Sequence, residues 1–318
     1  MSFVWGGSDL PSFYREHGGA VVSTAIDKWV HIFLNKNFHD DQIRFSYSKT
    51  ENVLHVSELE HRYAKEILQL FGIESGIEIV SMADIPWEWS GLWSSSSFTV
   101  ALLHALHEYK WDKVTAEQLW QESCHIEIDK CEQKIGKQDQ YAAAYGWLNF
   151  IEFNKDDTVK VSKINIWPRT KEELEKSLVM FYTNITRKAS SILEEQSVNM
   201  TSSVDKVTWM KKMVQLAYDL RDVLESNNIS SFWNILHENR ELKKQMSSWI
   251  AWWVIDEMYE KAMNAWAEWG KLLWAWGWGF LLFYADPSKH DDIEKALWLK
   301  RVPFNFDEQW SRLIHLYK

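Results

Sequence analysis

Four consecutive serines, Ser94 to Ser97, open an apolar helix-like run, and a segment from Pro86 leads into them after a strand-like stretch. A helix N-terminus presents unpaired backbone N–H groups and the positive end of the helix dipole, which suits it to anions. Glycine in such a loop lets the backbone wrap phosphate oxygens, and serine hydroxyls are hard-oxygen ligands of the kind Mg2+ takes. The stretch Gly91-Leu92-Trp93-Ser94-Ser95-Ser96 lacks the Gly-Lys-Ser/Thr of a P-loop, so it belongs to another class of phosphate site, or is a serine-rich helix cap and nothing more.

Tryptophan crowds the same places. Trp87, Trp89 and Trp93 lie in or beside this loop, and Leu272-Leu273-Trp274-Ala275-Trp276-Gly277-Trp278-Gly279-Phe280 alternates tryptophan with glycine. The two residues are opposites, one permitting left-handed backbone and close approach, the other filling space. The chain has 21 Trp and only 12 Gly in 318 residues, whereas glycine usually makes up about 7% of a chain.

The elements that would position these loops follow from periodicity. Ala20–Ile26, Trp29–Asn35, Gln42–Tyr47 and Ile77–Ser81 read as strands, and Glu60–Phe71 as a helix. Phe98–Tyr109 is helical, with Val100, Leu103, Ala105 and Leu106 inward. Thr115-Ala116-Glu117-Gln118 is a capping box opening a helix through about Cys131. Leu148–Phe153 and Thr158–Ile164 form a hairpin around Asn154-Lys155-Asp156-Asp157. Beyond Trp167-Pro168-Arg169-Thr170, the expected domain boundary, come a strand (Leu178–Tyr182) and three or four helices between Arg187 and Trp266. The strand pair Lys271–Trp274 and Phe280–Tyr284, a helix (Ser288–Leu297) and short terminal strands finish the chain. This is an α+β pattern in two domains, 1–166 and 167–318.

Composition narrows the class. About half the residues are apolar and a quarter charged, as in ordinary globular chains, and the net charge of −10 argues against an extended nucleic-acid surface. Cys124 and Cys131, roughly 10 Å apart along a helix, are too distant for a disulfide and read as reduced thiols. The longest apolar stretch, Leu272 to Ala285, is too short to span a bilayer, and no signal peptide is read at the start, so a cytoplasmic protein without membrane partner is expected.

The Pro86–Ser96 loop resembles the phosphate-binding motif of the GHMP kinases, Pro-x-x-x-Gly-Leu-Gly-Ser-Ser, with Trp93 in place of the last glycine. Two further segments agree in order. Phe3-Val4-Trp5-Gly6-Gly7-Ser8-Asp9-Leu10-Pro11 looks like the first motif of the sugar 1-kinase branch, and Gly270 to Gly279 like the third, glycine-rich motif. The likeness is nearest to D-glycero-D-manno-heptose 7-phosphate 1-kinases. It is carried by Phe13-Tyr14-Arg15-Glu16-His17-Gly18-Gly19-Ala20, Ser46-Tyr47-Ser48-Lys49-Thr50, Gly136-Lys137-Gln138-Asp139-Gln140-Tyr141-Ala142 and Phe181 to Arg187.

The resemblance implies a ribosomal-protein-S5-like α/β domain followed by a ferredoxin-like α+β domain. It implies ATP as phosphoryl donor, Mg2+ as cofactor, and a sugar phosphate as acceptor at its anomeric C1 hydroxyl. A heptose 7-phosphate is favoured over another sugar 1-kinase substrate such as fucose. A non-catalytic sugar- or nucleotide-binding protein is the reading if the tryptophans obstruct the site.

Residue by residue, Asp139 matches the family aspartate that acts as base or orients the hydroxyl. Lys137 beside it contacts phosphate or is a solvated charge. Glu127 and Ser95 match the Mg2+ ligands. Glu88, Ser90, Gly91, Leu92, Trp93, Ser94, Ser95 and Ser96 would hold ATP, and Gly6, Gly7, Ser8, Asp9 and Gln138 the sugar. Ser8 and Asp9 read equally as a turn before Leu10-Pro11. Arg187 is the candidate for the distal phosphate, because arginine grips phosphate with two prongs, though a lone arginine often serves a surface ion pair. His125-Ile126-Glu127 has a zinc-like look, but no second His or Cys cluster supports it. The family's first strand is longer and carries an arginine ahead of Ser2-Phe3, so the edge of this strand is expected to differ. A monomer or homodimer is expected.

Three meanings remain open for the tryptophans: a sugar-stacking surface, obstruction of the nucleotide site in an altered chain, or glycine codons (UGA) rendered as tryptophan.

Overall fold

The computed structural model describes residues 1–4, 7–38, 41–85, 94–183, 204–246, 252–275, 278–309 and 311–314. The chain forms two compact units, one of residues 28–88, 93–146 and 308–318, the other of residues 1–27, 89–92 and 147–307.

The 28–146 unit is built on a sheet of β3 (Val30–Lys36), β6 (Ile77–Ala83), β4 (Ile43–Ser46) and β5 (Thr50–Val53), in that spatial order. β4 runs parallel to β6 and the other pairs are antiparallel. Period-two alternation decides its faces. Ile43 and Phe45 of β4 point inward with Ile77 and Ile79 of β6, while Arg44 points out and ion-pairs Glu78 at 2.5 Å. Helix α2 (Arg62–Leu70) contributes Ile67 and Leu68 to that core. Helix α3 (Ser94–Tyr109) lies along β3 and buries Val100, Leu102, Leu103 and Leu106. Ala105, expected inward, is only half-buried, and Leu102 takes the fully buried place. Helix α4 (Ala116–Cys124) starts as its capping box requires, the Thr115 hydroxyl accepting from the Gln118 N–H at 3.1 Å. It does not continue to Cys131 as an α-helix: residues His125–Lys130 widen into a π-helical turn. Helix α5 (Gln138–Tyr145) packs on α3 and α4, and Tyr141 stacks on Trp120 with ring centroids 4.0 Å apart. Cys124 and Cys131 are both buried free thiols.

The other unit has two sheets. β1 (Ser2–Val4), β2 (Gly19–Thr24), β7 (Leu148–Phe153) and β8 (Val159–Lys163) are antiparallel, with β2 and β7 in register from Gly19–Phe153 to Thr24–Leu148. β1 is short and its pairing with β2 is irregular. Helix α1 (Pro11–His17) joins β1 to β2, and helix α6 (Pro168–Ser177) follows β8. Trp167-Pro168 thus starts a helix, with proline in its first turn where no N–H is missed.

The second sheet runs β10 (Trp269–Ala275), β11 (Trp278–Tyr284), β9 (Leu178–Tyr182), β12 (Lys300–Val302), all antiparallel. Helices α7 (Val204–Glu225), α8 (Phe232–Met246) and α9 (Trp252–Asn264) separate β9 from β10, and α10 (His290–Leu297) separates β11 from β12. That chain order and strand order are those of a split βαβ, ferredoxin-like sheet. Its core joins Val179, Phe181, Leu281 and Phe283 to Ile255, Ile293 and Leu297. α7 covers the first sheet, where the Tyr218 hydroxyl donates to Glu152 at 3.0 Å and Arg221 lies 4.7 Å from the Phe150 ring centroid. Among the described residues no helix is long and apolar enough to cross a membrane.

Candidate active site

The carboxylate of Glu127 is the centre of the arrangement in the 28–146 unit. It is completely buried on the π-helical turn, and three hydroxyls donate to it: Ser95 and Ser96 to Oε2, each at 3.1 Å, and Ser123 to Oε1 at 3.2 Å. Ser123 reaches it because it lies one turn back on the same run of helix. Ser95 and Ser96 come from the first turn of α3, where the Thr99 hydroxyl donates to the Ser95 carbonyl at 2.8 Å and holds the turn. Burial pushes the Glu127 carboxyl up to about 7, against the hydrogen bonds of the hydroxyls, which favour its ionised form. Burial likewise raises the Tyr63 phenol well above its ordinary value, with the charge of Glu127 adding to the rise.

Among the described residues no lysine or arginine ion-pairs Glu127, so the cost of its buried charge is met only by neutral donors. A buried carboxylate with serine oxygens around it is an all-oxygen donor set of the kind that fits Mg2+, a hard cation that keeps part of its water shell. Sequence reasoning named Glu127, Ser95 and Ser96, and the structure brings these three together. It missed Ser123, whose only signal was its i, i+4 spacing, and Tyr63, for which the sequence offered none.

Asp139 lies in the first turn of α5, where a carboxylate is favoured by the helix dipole, and it is half-buried. Lys137 is the residue before that turn and makes no side-chain cap there. Gln138 is buried, and so is Gln140, whose amide nitrogen and oxygen both lack a hydrogen-bond partner among the described residues. Gln140 was not singled out from the sequence.

In the other unit, Gly7 adopts φ +93 and accepts the Leu10 N–H at 3.1 Å, closing a turn that carries Ser8 and Asp9, both buried. The Ser8 hydroxyl is turned to the backbone and donates to Ala20 O at 3.0 Å. A Cβ on Gly19 would sit 2.0 Å from the Ser8 carbonyl oxygen, so glycine at 19 is what lets this turn rest on β2. The first strand is tied to the glycine-rich segment by Lys271, whose ammonium donates to Ser2 O at 2.8 Å and Phe3 O at 2.5 Å. Burial holds that ammonium well below the ordinary lysine range, and nearby Lys243 adds to the effect. Gly6, Glu88, Ser90, Gly91, Leu92, Trp93 and Arg187 lie outside the described residues, and Ser94 is described by its backbone alone.

With a serine-lined helix start facing a buried glutamate, an aspartate at the head of a neighbouring helix and a ferredoxin-like second sheet, the chain is similar to the GHMP kinases. Residues 58–147 match the family described as GHMP kinases N terminal domain, and such an enzyme is an ATP-dependent kinase, a phosphotransferase. Among its relatives is the D-glycero-alpha-D-manno-heptose 7-phosphate kinase of Campylobacter jejuni, 27% identical over 309 residues, which cover 93% of this chain and 90% of that one. A solved D-glycero-D-manno-heptose 1-phosphate kinase from Bacteriodes thetaiotaomicron superposes with a TM-score of 0.77 at 25% identity, covering 96% of this chain and 93% of that one. The phosphomevalonate kinase of Streptococcus pneumoniae has the same fold, with a TM-score of 0.76 at 11% identity over 96% and 97% of the two chains.

Proposed function

We propose that this protein transfers the γ-phosphoryl group of ATP to the anomeric hydroxyl of a sugar phosphate, and that the sugar is a D-glycero-D-manno-heptose 7-phosphate. The observation that carries the phosphoryl-transfer part is the buried Glu127 carboxylate ringed by Ser95, Ser96 and Ser123 at the start of α3. The name of the Campylobacter jejuni relative, a heptose 7-phosphate kinase, supports this substrate, and that of the Bacteriodes thetaiotaomicron structure, a heptose 1-phosphate kinase, supports the heptose alone.

In this reading the 1–166 segment is the domain that holds nucleotide and metal, and 167–318 is the second domain of the family. The N-terminal turn of α3 binds phosphate oxygens through its N–H groups. Glu127 and Ser95 hold Mg2+, which when bound supplies positive charge to the transferring phosphoryl group. Asp139 accepts a hydrogen bond, or the proton itself, from the C1 hydroxyl and aims that oxygen along the line of transfer. Lys137 favours the ionised form of Asp139 or contacts phosphate. Gly6, Gly7, Ser8, Asp9 and Gln138 hold the sugar, and Arg187 takes its distal phosphate by a two-pronged contact. The enzyme works in the cytoplasm, as monomer or homodimer.

The test is ADP release on a panel of sugars and sugar phosphates. Activity is expected with a heptose 7-phosphate, with loss of turnover in Asp139→Asn and an unchanged unfolding midpoint. Turnover on free fucose that Arg187→Ala leaves untouched would redirect the substrate. Full activity of Asp139→Asn would overturn the site.

A further inference from the structure

Several helices of this chain end on a residue with positive φ, and the identity of that residue is what varies. After α2, Gly72 adopts φ +63, its N–H donated to Gln69 O at 3.0 Å and that of Ile73 to Leu68 O at 2.9 Å, the paired bonds of a Schellman cap. After α5, Gly146 has φ +63, and after α7, Asn227 has φ +56 with the same pair of bonds, to Leu224 O and, from Asn228, to Val223 O. Glycine and asparagine are the residues that enter this left-handed region at least cost.

Three other helices end on a left-handed tryptophan, two with the same paired bonds and the third with a single αL-type bond. After α3, Trp111 (φ +64) donates to Glu108 O at 3.0 Å and Asp112 to His107 O at 2.9 Å. After α9, Trp266 (φ +74) donates to Met263 O at 3.2 Å and Ala267 to Ala262 O at 2.9 Å. After α10, Trp298 (φ +54) donates to Glu294 O at 3.0 Å. A fourth, Trp147, has φ +62 directly after Gly146. Among the described residues seven non-glycine residues have positive φ, and four of them are tryptophan, although tryptophan is 21 of 318 residues.

Packing does not explain three of them, whereas Trp147 is half-buried with the Lys163 ammonium 3.2 Å from its ring centroid. The relative exposure of Trp111 and Trp266 is 67%, and that of Trp298 is 92%, so three indoles stand in water at strained positions. Other tryptophans behave as tryptophan should: Trp120 stacks on Tyr141, and Trp233 on Tyr284 with centroids 3.4 Å apart, each within a helix. The chain holds two populations under one letter.

We infer that the protein made in its source cell carries glycine at positions 111, 147, 266 and 298, through UGA codons that this cell translates as glycine and that a code assigning UGA to tryptophan renders as Trp. Cap geometry carries this, independently of the kinase reading. Where that reading also holds, the same exchange at Trp93, Trp274, Trp276 and Trp278 turns the phosphate loop and the third motif into the glycine-rich segments that close approach to phosphate needs.

The test is the codon at each of the four positions, together with peptide masses of the protein isolated from its source cell, with Trp120 and Trp233 as peptides in which intact tryptophan is read. UGA codons and glycine masses at 111, 147, 266 and 298 are expected. UGG at the four positions, or peptides that retain tryptophan there, would overturn the inference whatever the enzyme's activity.

Discussion

Replacing Glu127 by glutamine removes one charge at the centre of the proposed metal site and keeps its shape. In the folded protein burial raises this carboxyl to about 7, whereas an unfolded glutamate titrates near the ordinary 4.5. A raised acid favours the folded state when protonated. Its contribution is therefore fully present below the unfolded value and is lost as pH rises through the folded one. The gap between 4.5 and 7 corresponds to on the order of 3 kcal/mol at about 1.4 kcal/mol per pH unit. Glu127→Gln has nothing to ionise, and the hydroxyls of Ser95, Ser96 and Ser123 rotate to donate to its oxygen and accept from its nitrogen. Urea unfolding at several pH values then gives a definite picture. Near pH 4 the two proteins have similar midpoints, and by pH 8 the variant is the more stable by up to about 3 kcal/mol. Added Mg2+ at pH 8 reverses this by stabilising only the wild type, since a ligand of the native state adds RT ln(1 + [L]/Kd). Midpoints that run parallel from pH 4 to 8, with no differential response to Mg2+, would refute the idea that Glu127 is a desolvated carboxylate awaiting a cation.

Two further outcomes follow from other positions. Trp298→Gly relieves left-handed strain without loss of packing and is expected to stabilise the protein by about 1 kcal/mol, whereas Trp233→Gly breaks a helix and an aromatic stack and costs about 3 kcal/mol or more; thermal melts of the two variants separate the cases. Burial lowers the Lys243 ammonium to about 7, so its contribution to stability is full at high pH and is lost as pH falls towards 7; the wild-type urea midpoint is expected to rise between about pH 7 and 9.5, and Lys243→Met to flatten that rise.

Much of the architecture was legible because strands and helices here bury one face each. Leu178–Tyr182 and Leu148–Phe153 are predicted to the residue, since an apolar run bounded by polar ends has one way to sit in a sheet. Short elements were not legible: β5 (Thr50–Val53) has two exposed positions and one half-buried one, and α1 and α6 are helices started by proline in segments to which the sequence assigned no helix. The helix expected to run to Cys131 widens into a π turn that carries Glu127, whose carboxylate meets the serines of α3, a tertiary contact that periodicity cannot express. In the site, residue identity was readable from motifs, and Ser95, Ser96 and Glu127 meet as those motifs require. Partners without a motif, Ser123 and Tyr63, are visible only once helix packing places them. The tryptophans reverse the usual lesson: their sequence context already called for glycine at the loops, and backbone angles extend the pattern to helix ends where no motif exists.

Residues 28–146 form their own core yet are strung between β2 and β7, which are neighbours in a single sheet. The chain leaves that sheet and returns to it at adjacent points, the Ala25 N–H donating to Trp147 O at 2.9 Å. During synthesis β1 and β2 emerge first and cannot find β7 until more than a hundred residues later, so they wait with apolar faces uncovered. The intervening segment has a complete core of its own and can fold in that interval. The pairing of β2 with β7 therefore has to wait for the inserted middle to be synthesised, whereas the core of that middle does not wait for the sheet.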